Sequence, residues 1–115
     1  MPPSFGQAAE EHVVHRVAAM GWEVLERNYH SRFGEIDIIA LDRGEVVFIE
    51  VKARRGTAFG TPVESVTEAK LEKIAMTAHE YLSSKGWEQR PWRVDVFAVT
   101  QKNGTWVLDH LPNFG

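Results

Sequence analysis

The chain has 115 residues, 13 Lys and Arg against 16 Asp and Glu, and a formal charge of −3 with histidine neutral, so residues 1–115 suit one domain with one hydrophobic core. With 43% apolar and 25% charged residues it reads as a folded chain, and the lack of cysteine excludes disulfide scaffolds, thiolate zinc sites and cysteine nucleophiles. No apolar run approaches the ~18 residues of a membrane span and the first residues are too polar for a signal peptide, so the expected address is cytoplasmic with no membrane partner.

The first element predicted is a helix from Phe5 to Met20, with Ala9, Val13, Val14, Val17 and Met20 on one face and Gly21 ending it. Trp22 to Tyr29 reads as a weak first strand. Glu35 to Leu41 and Glu45 to Ala53 are stronger strands, rich in Ile and Val, and Asp42-Arg43-Gly44-Glu45 joins them as a β-hairpin. Ile36, Ile38, Val47, Ile49 and Val51 fall on one face, Ile39, Leu41, Val46 and Phe48 on the other, so both faces need cover. Arg54 to Pro62 reads as a loop with Gly56 and Gly60. Ser65-x-x-Glu68 is a capping-box pattern that opens a helix from Val66 to Ser84, and Gly86 closes it. Trp92 to Thr100 and Thr105 to His110 form a last hairpin around Asn103-Gly104. The order α-β-β-β-α-β-β implies an α/β fold, a small mixed sheet with one helix on each face.

The central hairpin carries an anomaly. With Arg43 and Gly44 as a two-residue turn, Asp37 faces Glu50 and Glu35 faces Lys52, which places the Asp37 and Glu50 carboxylates ~5 Å apart on the face of Ile39 and Phe48. At that separation they repel by about 3 kcal/mol at an effective dielectric of 20. Positive charge is needed there: Lys52 supplies part, and a hard cation such as Mg²⁺ or Mn²⁺ would supply the rest. Glu10 falls inside the apolar stripe of the first helix, and would join Asp37 and Glu50 if that helix covers the face bearing Asp37. Acids around Mg²⁺ beside a lysine suit phosphodiester hydrolysis, with Asp37, Glu50 and Glu10 holding metal and Lys52 orienting the attacking water.

Asp37 followed by Glu50-Val51-Lys52 resembles the PD-(D/E)xK nuclease motif, although Glu35-Ile36 stands where that motif has its proline. Together with Gly6 to Glu10, Arg27-Asn28-Tyr29, Gly34-Glu35-Ile36-Asp37, Phe48 to Arg54, Phe59-Gly60, Lys70, Arg93-Val94-Asp95-Val96 and Asn113-Phe114, nearly the whole chain is similar to the YraN-like family of small bacterial proteins. The resemblance implies a restriction-endonuclease-like fold related to Holliday junction resolvases. It implies that Glu10, Asp37, Glu50 and Lys52 occupy the metal and catalytic positions, with Lys70 a weaker candidate. By analogy with resolvases, the expected partners are DNA, including branched DNA, and a second copy of the chain in a homodimer.

Arg54, Arg55, Lys70 and Arg32 are the candidate contacts to DNA phosphates, and Glu35 is either a partner of Lys52 or a support for the ligands. Asp95 and Arg93 alternate on one strand and read as a structural pair. No histidine shows metal-ligand spacing, and the four tryptophans read as packing residues. The expected function is a metal-dependent endonuclease; the alternative is a catalytically inactive module of the same fold that binds nucleic acid or a partner.

Overall fold

The structure, a computed structural model, describes residues 2–56 and 66–114. In chain order the elements are α1 (Phe5–Ala19), β1 (Glu23–Ser31), β2 (Gly34–Asp42), β3 (Glu45–Arg55), α2 (Glu68–Lys85), β4 (Trp92–Lys102) and β5 (Thr105–Leu111), which is the order expected. One five-stranded sheet runs β1-β2-β3-β4-β5, antiparallel except for the parallel β3–β4 pair that α2 connects. Among the described residues no helix is long and apolar enough to cross a membrane.

The turns account for the registers. Arg43 and Gly44 both have positive φ, 50° and 88°, as do Asn103 and Gly104 at 50° and 78°; two successive positive-φ residues give the tight turn whose twist matches paired strands. Asp42 therefore pairs with Glu45 and Ile38 with Ile49, the predicted register. α1 opens on a capping box in which Ser4 and Gln7 exchange hydrogen bonds between side chain and backbone. α2 starts two residues later than expected. Its cap is Thr67, whose hydroxyl accepts from the Lys70 N–H; Ser65, Phe59-Gly60 and Pro62 lie outside the described residues.

Both faces of the central hairpin are covered. α1 places Ala9, Val13 and Val17 on Ile38, Ala40, Val47, Ile49, Phe97 and Val99. α2 places Ile74, Ala78, Tyr81 and Leu82 on Ile36, Ile39, Val46 and Phe48. Three expectations are corrected here. Met20 is 44% exposed rather than in the stripe, because the helix ends at Ala19. α1 covers the face opposite to that of Phe48 and Glu50. Ile36 joins the α2 side with Ile39, although Ile38 lies on the α1 side, so the alternation of β2 reverses between Ile36 and Ile38.

At the turn end of the hairpin a buried polar cluster ties four strands together. Arg93 donates to Asp42 at 3.0 Å, to Asp95 at 2.9 Å and to Glu45, and its guanidinium lies over the Trp22 ring at 5.1 Å. Burial alone disfavours the arginine charge, but the three carboxylates reverse that and raise its pKa. Asp95, fully buried, also bonds His110 Nε2 at 2.7 Å and accepts from the Asn113 N–H at 3.0 Å. Arg93 and Asp95 are thus the expected structural pair, extended by His110. Asp95→Ala removes one of the three carboxylates on Arg93, leaves His110 and the Asn113 N–H without their buried acceptor, and is expected to cost about 3 kcal/mol, read as a lower midpoint in urea unfolding.

Candidate active site

β3 keeps its parallel ladder with β4 from Val46 to Arg55, whereas its ladder with β2 ends at Ile38–Ile49. Beyond that pair the two strands of the hairpin part. The N–H of Val51 faces the gap, and the Asp37 carboxylate fills it, accepting at 2.8 Å. Asp37 therefore points along the sheet toward β3 rather than standing on the Ile39–Phe48 face, which corrects the flat-hairpin expectation. The reversal of β2 at this residue is what turns it.

β1 reverses at the same level. Its pairing passes from Arg27–Ile38 to Tyr29–Ile36, and Asn28 between them has φ 52°, a left-handed conformation that asparagine tolerates. Arg27 reaches Glu11 of α1 at 2.9 Å, whereas Tyr29 packs with the α2 cluster. Asn28 was not singled out from the sequence; the signal available was an asparagine inside a strand-like run. Its side-chain amide favours the charged form of the Glu10 carboxylate.

Three carboxylates converge electrostatically at this fork. Burial first, then the hydrogen bond and charge of Glu50, push the Asp37 carboxyl up to about 8, and Glu10 adds to the rise while the Val51 N–H opposes it. Glu10 is itself raised, by burial first; Arg27 and Asn28 counter this, and Glu35 and Glu50 reinforce it. Glu10 Oε1 and Glu50 Oε2 are buried without a hydrogen bond among the described residues. Lys70 Nζ lies 3.2 Å from Glu50 Oε2. That contact supplies opposite charge without hydrogen-bond alignment, so the oxygen is compensated but not saturated.

Lys52 shares the β3 face of Glu50, two residues on, is half-buried, and makes no ion pair among the described residues. The expected Glu35–Lys52 pair is absent, because the β2–β3 ladder has ended; Glu35 pairs instead with His30, across β1, at 3.3 Å. Of the predicted basic contacts, Lys70 belongs to the acid site. Arg32, at the β1–β2 turn, lies 3.9 Å from Glu80 and over the Phe33 ring. Arg55 lies over the Phe5 ring at 4.3 Å; Arg54 precedes it at the end of β3.

No three His, Asp or Glu side chains among the described residues are grouped closely enough to hold an ion in their present positions. The Asp37–Glu50 pair nevertheless fits a small hard cation, which needs one or two protein carboxylates and keeps several waters. The unsatisfied Glu50 oxygen is the donor such an ion would take. Glu10 acts on the pair through its charge.

This electrostatics has a pH consequence. Asp37 titrates near 3.8 when free and about 8 in the folded chain, so the native state binds the extra proton. Its contribution is fully present below 3.8 and is lost as pH rises through 8. With chelator present, Asp37→Asn, which keeps an acceptor for Val51, is expected to melt higher than the parent protein at pH 9. A gain of about 1 kcal/mol or more corresponds to roughly 4–8 °C for a domain this small; the two should converge near pH 4 in thermal unfolding.

Residues 9–99 match the family described as Uncharacterised protein family UPF0102. A UPF0102 protein of Symbiobacterium thermophilum is 46% identical over 94 residues, covering 82% of this chain and 80% of its own. One from Stutzerimonas stutzeri is 41% identical over 111 residues, covering 96% and 92%, and one from Myxococcus xanthus is 36% identical over 108 residues, covering 94% and 86%. The matched span contains Glu10, Asp37, Glu50, Lys52 and Lys70 together with strands β1 to β3 and most of β4, and the chain belongs to the UPF0102, or YraN-like, family.

Proposed function

We propose that this protein is a Mg²⁺- or Mn²⁺-dependent endonuclease that hydrolyses DNA phosphodiester bonds, with branched or structured DNA among its substrates. The observation that carries this reading is the pairing of half-buried Asp37 with buried Glu50 at the fork, with a Glu50 oxygen unsatisfied among the described residues and Lys52 two residues further along the same face. Two carboxylates crowded together, one of them buried, are costly in a structural role, and here their cost coincides with an opened ladder and an adjacent ammonium. Asp37 and Glu50 would hold the ion, which when bound supplies Lewis acidity at a phosphoryl oxygen.

The chain's own groups would do the rest. Lys52, without a competing carboxylate among the described residues, would orient the attacking water and offset charge developing on the phosphoryl oxygens. Glu10 would deepen the negative potential that draws a cation to the fork. Arg32, Arg54 and Arg55 would meet phosphates of the duplex. The acidic chain as a whole favours weak nonspecific binding at physiological salt, so engagement of DNA would depend on the ion and the structure of the substrate.

Labelled linear, flap and four-way DNA incubated with Mg²⁺ or Mn²⁺ should be nicked by the wild-type protein and left intact with chelator. Asp37→Ala and Lys52→Ala, shown folded by circular dichroism, should lose about 100-fold or more of that rate. Equal cleavage by all three would assign the activity to a contaminant and overturn the reading. In a calorimeter, Mn²⁺ should bind the wild type and not Glu50→Ala; no heat with the wild type would remove the metal from the proposal. Salt-sensitive DNA binding that survives Glu50→Ala, with no cleavage under any condition, would instead identify a binding module.

A further inference from the structure

Lys70 occupies a position that helix energetics alone would not choose. It is the third residue of α2, in the first turn, where the partial positive charge of the helix N-terminus repels a cation. Its ammonium compensates for this by lying 3.2 Å from Glu50 Oε2, on a carboxylate only 7% exposed, while the lysine side chain itself is 38% exposed. The contact lacks hydrogen-bond alignment and the carboxylate oxygen remains unsatisfied. One end of this ion pair is therefore fixed in the sheet, and the other sits on a flexible stem that can reach water without opening the core.

From this we infer that Lys70 is a displaceable internal counter-ion: it neutralises Glu50 while the fork holds no metal, and a divalent cation exchanges for it. The inference rests on the reading of Asp37 and Glu50 as metal ligands. It adds a coupling to that reading, because the released ammonium becomes available to a substrate phosphate only once the ion is in place. Lys52 differs in kind: it makes no ion pair among the described residues, and no exchange is needed to free it. The exchange would reduce binding of DNA in an unproductive, metal-free state, since Lys70 is then committed to Glu50.

The test is the rate of amine acylation at individual lysines, read by mass spectrometry on the intact chain with and without saturating Mn²⁺, with exposed Lys102 as the internal reference. Labelling of Lys70 relative to Lys102 is expected to rise several-fold when Mn²⁺ is added. In Glu50→Gln, Lys70 should label at the faster rate without metal. Calorimetry on the same sample separates the two ways of failing. Mn²⁺ binding with unchanged Lys70 labelling overturns the exchange alone, whereas no Mn²⁺ binding overturns the reading of the site and the exchange with it. An equal rise at Lys52 would assign the effect to the field of the ion and likewise overturn the exchange.

Discussion

The N–H of Val51 donates to a carboxylate where the neighbouring strand would ordinarily supply a carbonyl. An amide inside a sheet, away from free water, must be satisfied, and this part-buried one lies just past the last β2–β3 pair, Ile38–Ile49. β3 can part from β2 there because its other edge stays paired with β4 as far as Arg55. Asp37 closes the opening, and to do so the chain reverses its alternation, carrying Ile36 to the α2 side while Ile38 stays under α1. Asn28 makes the matching reversal in β1. The fork leaves that one amide without a strand partner, and the in-plane Asp37 and its crowding against Glu50 follow from satisfying it.

Two acidic clusters in the same sheet show how differently carboxylates can be treated. Asp42, Glu45 and Asp95 surround Arg93, and Asp95 also bonds His110 and the Asn113 backbone. Such a network is closed, with directed bonds on the buried acid, and its natural role is to lock strands and the C-terminal segment together. Glu10, Asp37 and Glu50 are open by comparison: among the described residues two of their oxygens lack hydrogen bonds, and the Lys70 ammonium is out of alignment. Counting acids would not separate the clusters; satisfaction of their oxygens does.

Glu10 links these ideas to the two-sided construction of the sheet. α1 covers the face away from Phe48 and Glu50, yet Glu10 raises the Asp37 carboxyl and is itself raised by the charge of Glu50. In a continuous sheet the opposite face would be shielded by paired backbone and packed Ile and Val side chains. At the fork that screen is interrupted, and groups from α1, β2, β3 and α2 act on one another there.

Much was legible in the linear chain because it is local. The period of Ala9, Val13 and Val17, the positive-φ turns at Arg43-Gly44 and Asn103-Gly104, and the Ile- and Val-rich strands determined the element order, the hairpin register and the need for cover on both faces. Asp37, Glu50 and Lys52 stood out because charge at those positions contradicts the apolar pattern around them. The tertiary structure alone decided which helix lies on which face, that Lys70 rather than Lys52 pairs with Glu50, that Glu35 turns to His30, and that Asp37 lies in the plane of the sheet. Strand alternation is a rule for unbroken ladders, and where this ladder ends the direction of a side chain is set by the nearest unsatisfied amide, which belongs to a different strand fourteen residues away.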